Sequence, residues 1–143
     1  MTGQMPLFGM KTTPVPEVID QANKSGSTVF TMVEGRDAVE CAEEIAAVEG
    51  VDVLLIGSQD LTIDLGVPAQ VNSHEYRDAL TKVSAACRKH GKILGVAGVY
   101  DNPEVQSWLI NEMGARFIQV GLDASLIYSG GVKAVAAIES LLQ

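Results

Sequence analysis

Cysteine is nearly absent from this chain of 143 residues: Cys41 and Cys87 stand alone, without a CxxC pair or a Cys/His cluster. Both fall in expected helices and read as buried structural thiols, which fits a reducing compartment, the cytoplasm. Basic residues are also scarce. Ten Lys and Arg face 18 Asp and Glu, a net charge of −8 with no basic stripe to replace the counterions of a phosphate backbone, so nucleic acid is not expected as a partner. No apolar run approaches the roughly 20 residues that span a bilayer. The opening segment MTGQMPLFGMKTTPVPE lacks the basic start and apolar stretch of a secretory signal. Neither membrane insertion nor export is expected.

What remains is an ordinary globular composition, 47% hydrophobic and 20% charged, in one domain over residues 1–143 that is long enough to bury a core. Residues 1–16 read as a loop, and PEVIDQANKSG as a short helix with Pro16 in its first turn and Gly26 at its end. One theme then repeats four times: strand 28–33 and helix 36–48; strand 52–56, a long loop and helix 75–90; strand 93–99 and helix 103–113; strand 116–120 and helix 125–142. Gly50, Gly91 and Gly114 close helices, while Ser73 and Asn102 can cap them. The strands are continuous apolar runs, as in parallel sheets covered on both faces, so the class is α/β with βα repeats. Four units make half of a (β/α)8 barrel, which takes about 250 residues. An open flavodoxin-like sheet is the alternative, and in either case the edges near Thr31 and Ile118 are apolar and invite pairing with another chain.

Two acids follow successive strands, Glu34 after VFTMV and Asp60 after VDVLLIGSQ. Parallel neighbours lie roughly 4.8 Å apart, so carboxylates leaving adjacent strand ends can share a cation. Two carboxylates with open positions suit a hard octahedral ion that keeps several waters, Mg or Mn rather than Zn. The plainer readings are a helix-capping acid for Glu34 and a turn residue for Asp60. His74 and His90 read as solvated or end-capping, Asp123 as the cap of the last helix, and Arg36 as a surface residue. Trp108, Leu109 and Met113 share a helical spacing and read as packing.

The segment VEGVDVLLIGSQDLTIDLG resembles the metal-binding stretch of the HpcH/HpaI aldolase/citrate lyase family, whose pattern runs VEGVDG, two hydrophobic residues, IGP-x-DLS-x-x-LG. VFTMVEG is similar to the preceding strand of that family, and GARFIQVGLDASLI to its last strand, GATFVAVGSDTGLL. The likeness runs in register from about Pro6 to Gln143. It implies strands five to eight of a phosphoenolpyruvate/pyruvate-type (β/α)8 TIM barrel, completed by oligomerisation or by a partner chain. It also implies a carbon–carbon lyase acting beside a pyruvate unit, with Mg or Mn stabilising an enolate. Carried over by position, Glu34 and Asp60 are the metal ligands. The backbone around Gly57, Ser58 and Gln59 is the turn that holds the carboxylate of a 2-oxo acid such as pyruvate.

Departures from the pattern bear on activity. The family's Gln two residues before the metal Glu is Met32 here, and its Pro after the strand Gly is Ser58. The family's catalytic His and substrate-clamping Arg belong to the first half of the barrel, so the family's base has no counterpart in this sequence, and a metal-bound hydroxide is the alternative. Two readings follow. One is a metal-dependent aldolase that takes its base from another chain, within a homo-oligomer or with a complementary half-barrel. The other is a non-catalytic remnant that serves as an assembly or regulatory subunit.

Overall fold

Four short parallel strands, β1 (Phe30–Val33), β2 (Val53–Gly57), β3 (Ile93–Ala97) and β4 (Phe117–Ile118), lie side by side in sequence order. The computed structural model describes residues 12–142. Phe30 pairs with Val53, Val53 with Ile93, and Gly95 with Phe117, which aligns the C-terminal ends of the strands. In a parallel sheet whose strands follow sequence order, crossovers of the usual right hand put the helices that join the strands on one face. A flavodoxin-like sheet reverses its strand order and is not what forms.

The helices are α1 (Val15–Gln21), α2 (Arg36–Glu40), α3 (Ala42–Ala47), α4 (Ser58–Asp64), α5 (His74–His90), α6 (Pro103–Asn111) and α7 (Asp123–Glu139). α5 spans β2 and β3 and packs against α2 and α3. Its buried stripe of Tyr76, Leu80, Val83 and Cys87 meets Val33, Leu54, Ile56, Leu94 and Val96 from the sheet, and Val105 and Leu109 from α6 complete the core. Ser73 accepts from the Tyr76 amide at 3.2 Å, and Asn102 from the Val105 amide at 3.2 Å, so both expected caps form. Gly50, Gly91 and Gly114 all adopt positive φ, as the helix ends require.

Several expectations are corrected. The expected loop over 1–16 lies outside the described residues as far as residue 11, and α1 already begins at Val15. Helix 36–48 is two helices, broken at Cys41, where the backbone leaves helical geometry (φ −89°, ψ 9°). Cys41 is therefore exposed, while Cys87 is buried and its thiol is pushed up to about 11 by desolvation. The long loop after β2 begins as α4. Leu122, not Asp123, occupies the N-cap of α7.

The sheet is covered by helices on one face only. Gly95 looks onto Leu55, Val53 and Phe117 on the other face, and the rings of Phe30 and Phe117 meet edge-on with centroids 5.0 Å apart. Because Phe30 and Phe117 come from opposite edges of the sheet, their contact shows that it curls inward like a barrel wall. α7 with its last turn, Asp123–Leu142, is 20 residues long, with mean hydropathy 1.2 and no residue buried. By length and composition alone it reaches the minimum for a membrane span, contrary to the expectation that no run comes close.

Candidate functional site

The acids expected to act together do share one cavity, of 220 Å³, at the C-terminal ends of the strands. Glu34 leaves β1 directly, and its side chain turns across β2. A Cβ placed on Gly57 would stand 2.5 Å from Glu34 Oε1 and 2.7 Å from its Cγ. Glu34 is not the cap of α2, a position taken by Gly35. Its carboxylate is thus directed to the strand ends rather than to a helix terminus. Asp60 sits in the first turn of α4, whose leading amides have no intrahelical partner. Met32, Gly57, Ser58 and Gln59 line the same cavity, so each expected metal or substrate residue is brought to one place.

Behind this wall the turn is tied down. Ser58 is fully buried, and its hydroxyl lies 2.7 Å from the Tyr76 hydroxyl, also fully buried. Burial pushes the Tyr76 phenol up to about 12, so it remains a neutral hydrogen-bonding group. The Gln59 amide donates to the Gly98 carbonyl at 2.9 Å, linking α4 to the end of β3. Gly98 has φ +84°, and a Cβ there would meet Gln59 Cγ at 3.3 Å, so this close approach uses glycine twice over. Sequence reasoning missed Tyr76, because it lies 18 residues beyond Ser58 on another element. It also missed Tyr100 and Gln119, which line the far side of the cavity and are joined by a hydrogen bond of 2.9 Å. The available signal was Gln119 itself, a polar residue in RFIQV where the family pattern has Ala.

Other polar residues are engaged elsewhere. Arg36 donates its backbone N–H to Asp64 Oδ2 at 2.7 Å and its Nε to the Asp64 carbonyl at 2.9 Å. His74 pairs with Asp78 on the exposed face of α5, and His90 lies at the far end of that helix, 3.9 Å from Glu43. Trp108 packs against the core with Leu109 and Met113 as expected, and carries the Arg77 guanidinium 4.6 Å above its ring. A larger surface cavity of 590 Å³, between Ile110 and Ile118, contains no acid or histidine.

Among the described residues no three His, Cys, Asp or Glu side chains come together. The donor set is two carboxylates, which fits Mg or Mn because those ions retain several waters, and does not fit a closed zinc site.

A curled parallel sheet of four strands with its carboxylate-lined cavity at the C-terminal strand ends has the architecture of part of a (β/α)8-type barrel. The chain belongs to the HpcH/HpaI aldolase/citrate lyase family, whose sequence profile matches residues 11–129. It is 41% identical over 141 residues to a 4-hydroxy-4-methyl-2-oxoglutarate aldolase of Hapsidospora irregularis, a match covering 99% of this chain and 52% of that protein. It is 32% identical over 125 residues to a 5-keto-4-deoxy-D-glucarate aldolase of Klebsiella pneumoniae subsp. pneumoniae, covering 87% and 47%. The crystal structure of an HpcH/HpaI aldolase from Desulfitobacterium hafniense superimposes with a TM-score of 0.74 at 25% identity, over 92% of this chain and 50% of that one. The chain spans about half the length of the relatives it matches.

Proposed function

We propose that this chain carries the metal- and pyruvate-binding half of a pyruvate-type aldolase, a carbon–carbon lyase acting on 4-hydroxy-2-oxo acids. The observation that carries this reading is the Glu34 carboxylate lying across Gly57, in one cavity with Asp60. Glu34 and Asp60 would hold Mg or Mn. When bound, the cation supplies Lewis-acid chemistry that offsets negative charge on the keto oxygen of the substrate. The first-turn amides at Ser58, Gln59 and Asp60 receive the carboxylate, and the buried Ser58–Tyr76 bond keeps that turn fixed. Met32 and Leu122 give the cavity an apolar wall. Among the described residues no His, Lys or Arg lines it, so the base that handles the substrate's hydroxyl proton comes from outside this half-barrel. A homo-oligomer or a complementary half-barrel supplies it.

The test is Mn binding by calorimetry, with and without pyruvate, on the wild type and on Glu34→Ala/Asp60→Ala. Mn binding that pyruvate strengthens and the double substitution abolishes is expected. The absence of Mn binding would overturn the reading. The lack of a basic side chain around the cavity favours a second reading, a non-catalytic assembly or regulatory subunit. Mn and pyruvate binding without aldol cleavage in the presence of a complementary half-barrel would establish it.

A further inference from the structure

The far wall of the cavity is built from side chains that neither the metal nor the pyruvate unit uses. Tyr100 follows β3, Gln119 follows β4, and the Tyr100 hydroxyl donates to Gln119 Oε1 at 2.9 Å. With Oε1 engaged by the phenol, the amide nitrogen keeps both of its N–H donors. Both residues are half-buried, so those donors face reduced competition from water. The backbone holds the position as well, since the Gln119 N–H donates to the Val96 carbonyl at 3.0 Å.

Distance gives the pair its meaning. Gln119 is two strands from Gly57, roughly 10 Å along the sheet and less across its curl. A five- or six-carbon chain whose 2-oxo acid end rests on the Gly57–Asp60 turn reaches that far. What meets it is a neutral amide, not a cation, because Arg36 is bound to Asp64.

We propose that Gln119, oriented by Tyr100, is a specificity-determining residue for the half of the substrate that departs as the carbonyl compound, donating to an oxygen acceptor two or three carbons beyond the keto group. This rests on the pyruvate-aldolase reading above. The amide reads an oxygen rather than a charge, so a carboxylate and its ester are both accepted and a methyl group is not.

The test is calorimetry with Mn present, comparing pyruvate, 2-oxoglutarate, its 5-methyl ester and 2-oxopentanoate. The wild type should bind 2-oxoglutarate and the ester about fivefold more tightly than 2-oxopentanoate, the effect of one net hydrogen bond. Gln119→Leu should erase that preference and leave pyruvate affinity unchanged. Tyr100→Phe should reduce the preference only in part, since the amide remains but is free to rotate. A preference that survives Gln119→Leu, an ester that binds like 2-oxopentanoate, or a pyruvate affinity that falls in parallel would each overturn the proposal. Failure of the wild type to bind pyruvate with Mn would instead overturn the underlying aldolase reading, and it would be seen before any variant is compared.

Discussion

A Cβ at position 57 needs the space that the Glu34 side chain occupies, so a larger residue there displaces the Glu34 carboxylate. In Gly57→Ala the flexible Glu34 side chain swings away while the strand persists. Mn affinity should fall tenfold or more, about 1.4 kcal/mol, with little change in the melting temperature. Unchanged affinity by calorimetry would show that Glu34 does not hold the cation. Tyr76→Phe leaves the buried Ser58 hydroxyl without a partner and should cost about 1–2 kcal/mol of stability in chemical denaturation. The folded state raises the Tyr76 phenol from 10.0 to about 12. Its contribution is therefore complete below pH 10 and is lost as pH rises toward 12, when the unfolded chain ionises first. The wild type should lose more stability across that window than Tyr76→Phe, which keeps the upward shift of Cys87. That Glu34 and Asp60 meet at one cavity was legible because each sits in a short contiguous motif. Tyr76, Tyr100 and Gln119 were not, because each acts through a partner at least 18 residues away that only strand order brings near.

Elements defined by local chemistry were read correctly, and elements defined by packing were not. Ser73, Asn102 and Gly91 mark helix ends through side-chain caps and a left-handed φ, both written in a few adjacent residues. Ser73→Ala should cost about 1 kcal/mol in denaturant unfolding and leave Mn binding untouched, since the cap lies outside the cavity. A loss of metal affinity in that variant would show that α5 and the site are coupled. By contrast, α4 is too short to persist on propensity alone. It exists because Leu61 and Thr62 are buried, with the Thr62 hydroxyl donating to the Gln59 carbonyl at 2.9 Å and accepting from the Ala69 amide at 3.1 Å. The break at Cys41 was equally invisible, since RDAVECAEEIAAV keeps its apolar period across it. The continuous apolar strands implied cover on both faces, but helices cover only one. The residues left over, Phe30, Met32, Ile93 and Phe117, are each 40–45% exposed.

For the molecule as a whole, those residues and α7 pose the same question. The inner wall of the curled sheet presents half-exposed aromatic and aliphatic side chains, and α7 buries none of its residues while exposing Leu126, Ile127, Tyr128, Val135 and Ile138. Apolar surface on this scale normally marks a contact with another chain, because leaving it in water forfeits about 25 cal/mol for each Å² that could be covered. Among the described residues β1 and β4 each have a neighbouring strand on one side only, which adds two sheet edges to that surface. Light scattering should therefore return a multiple of the 15.1 kDa chain mass, and the ratio should fall with dilution. Substituting Ile127→Glu and Val135→Glu should lower the mass toward a single chain. The melt of a diluted sample should stay nearly unchanged, because α7 contributes nothing to the core that α5 and the sheet enclose. A wild-type mass of 15.1 kDa at high micromolar concentration would show that a second copy does not cover the wall and α7. On the proposed aldolase reading, a second copy would then not be the source of the base.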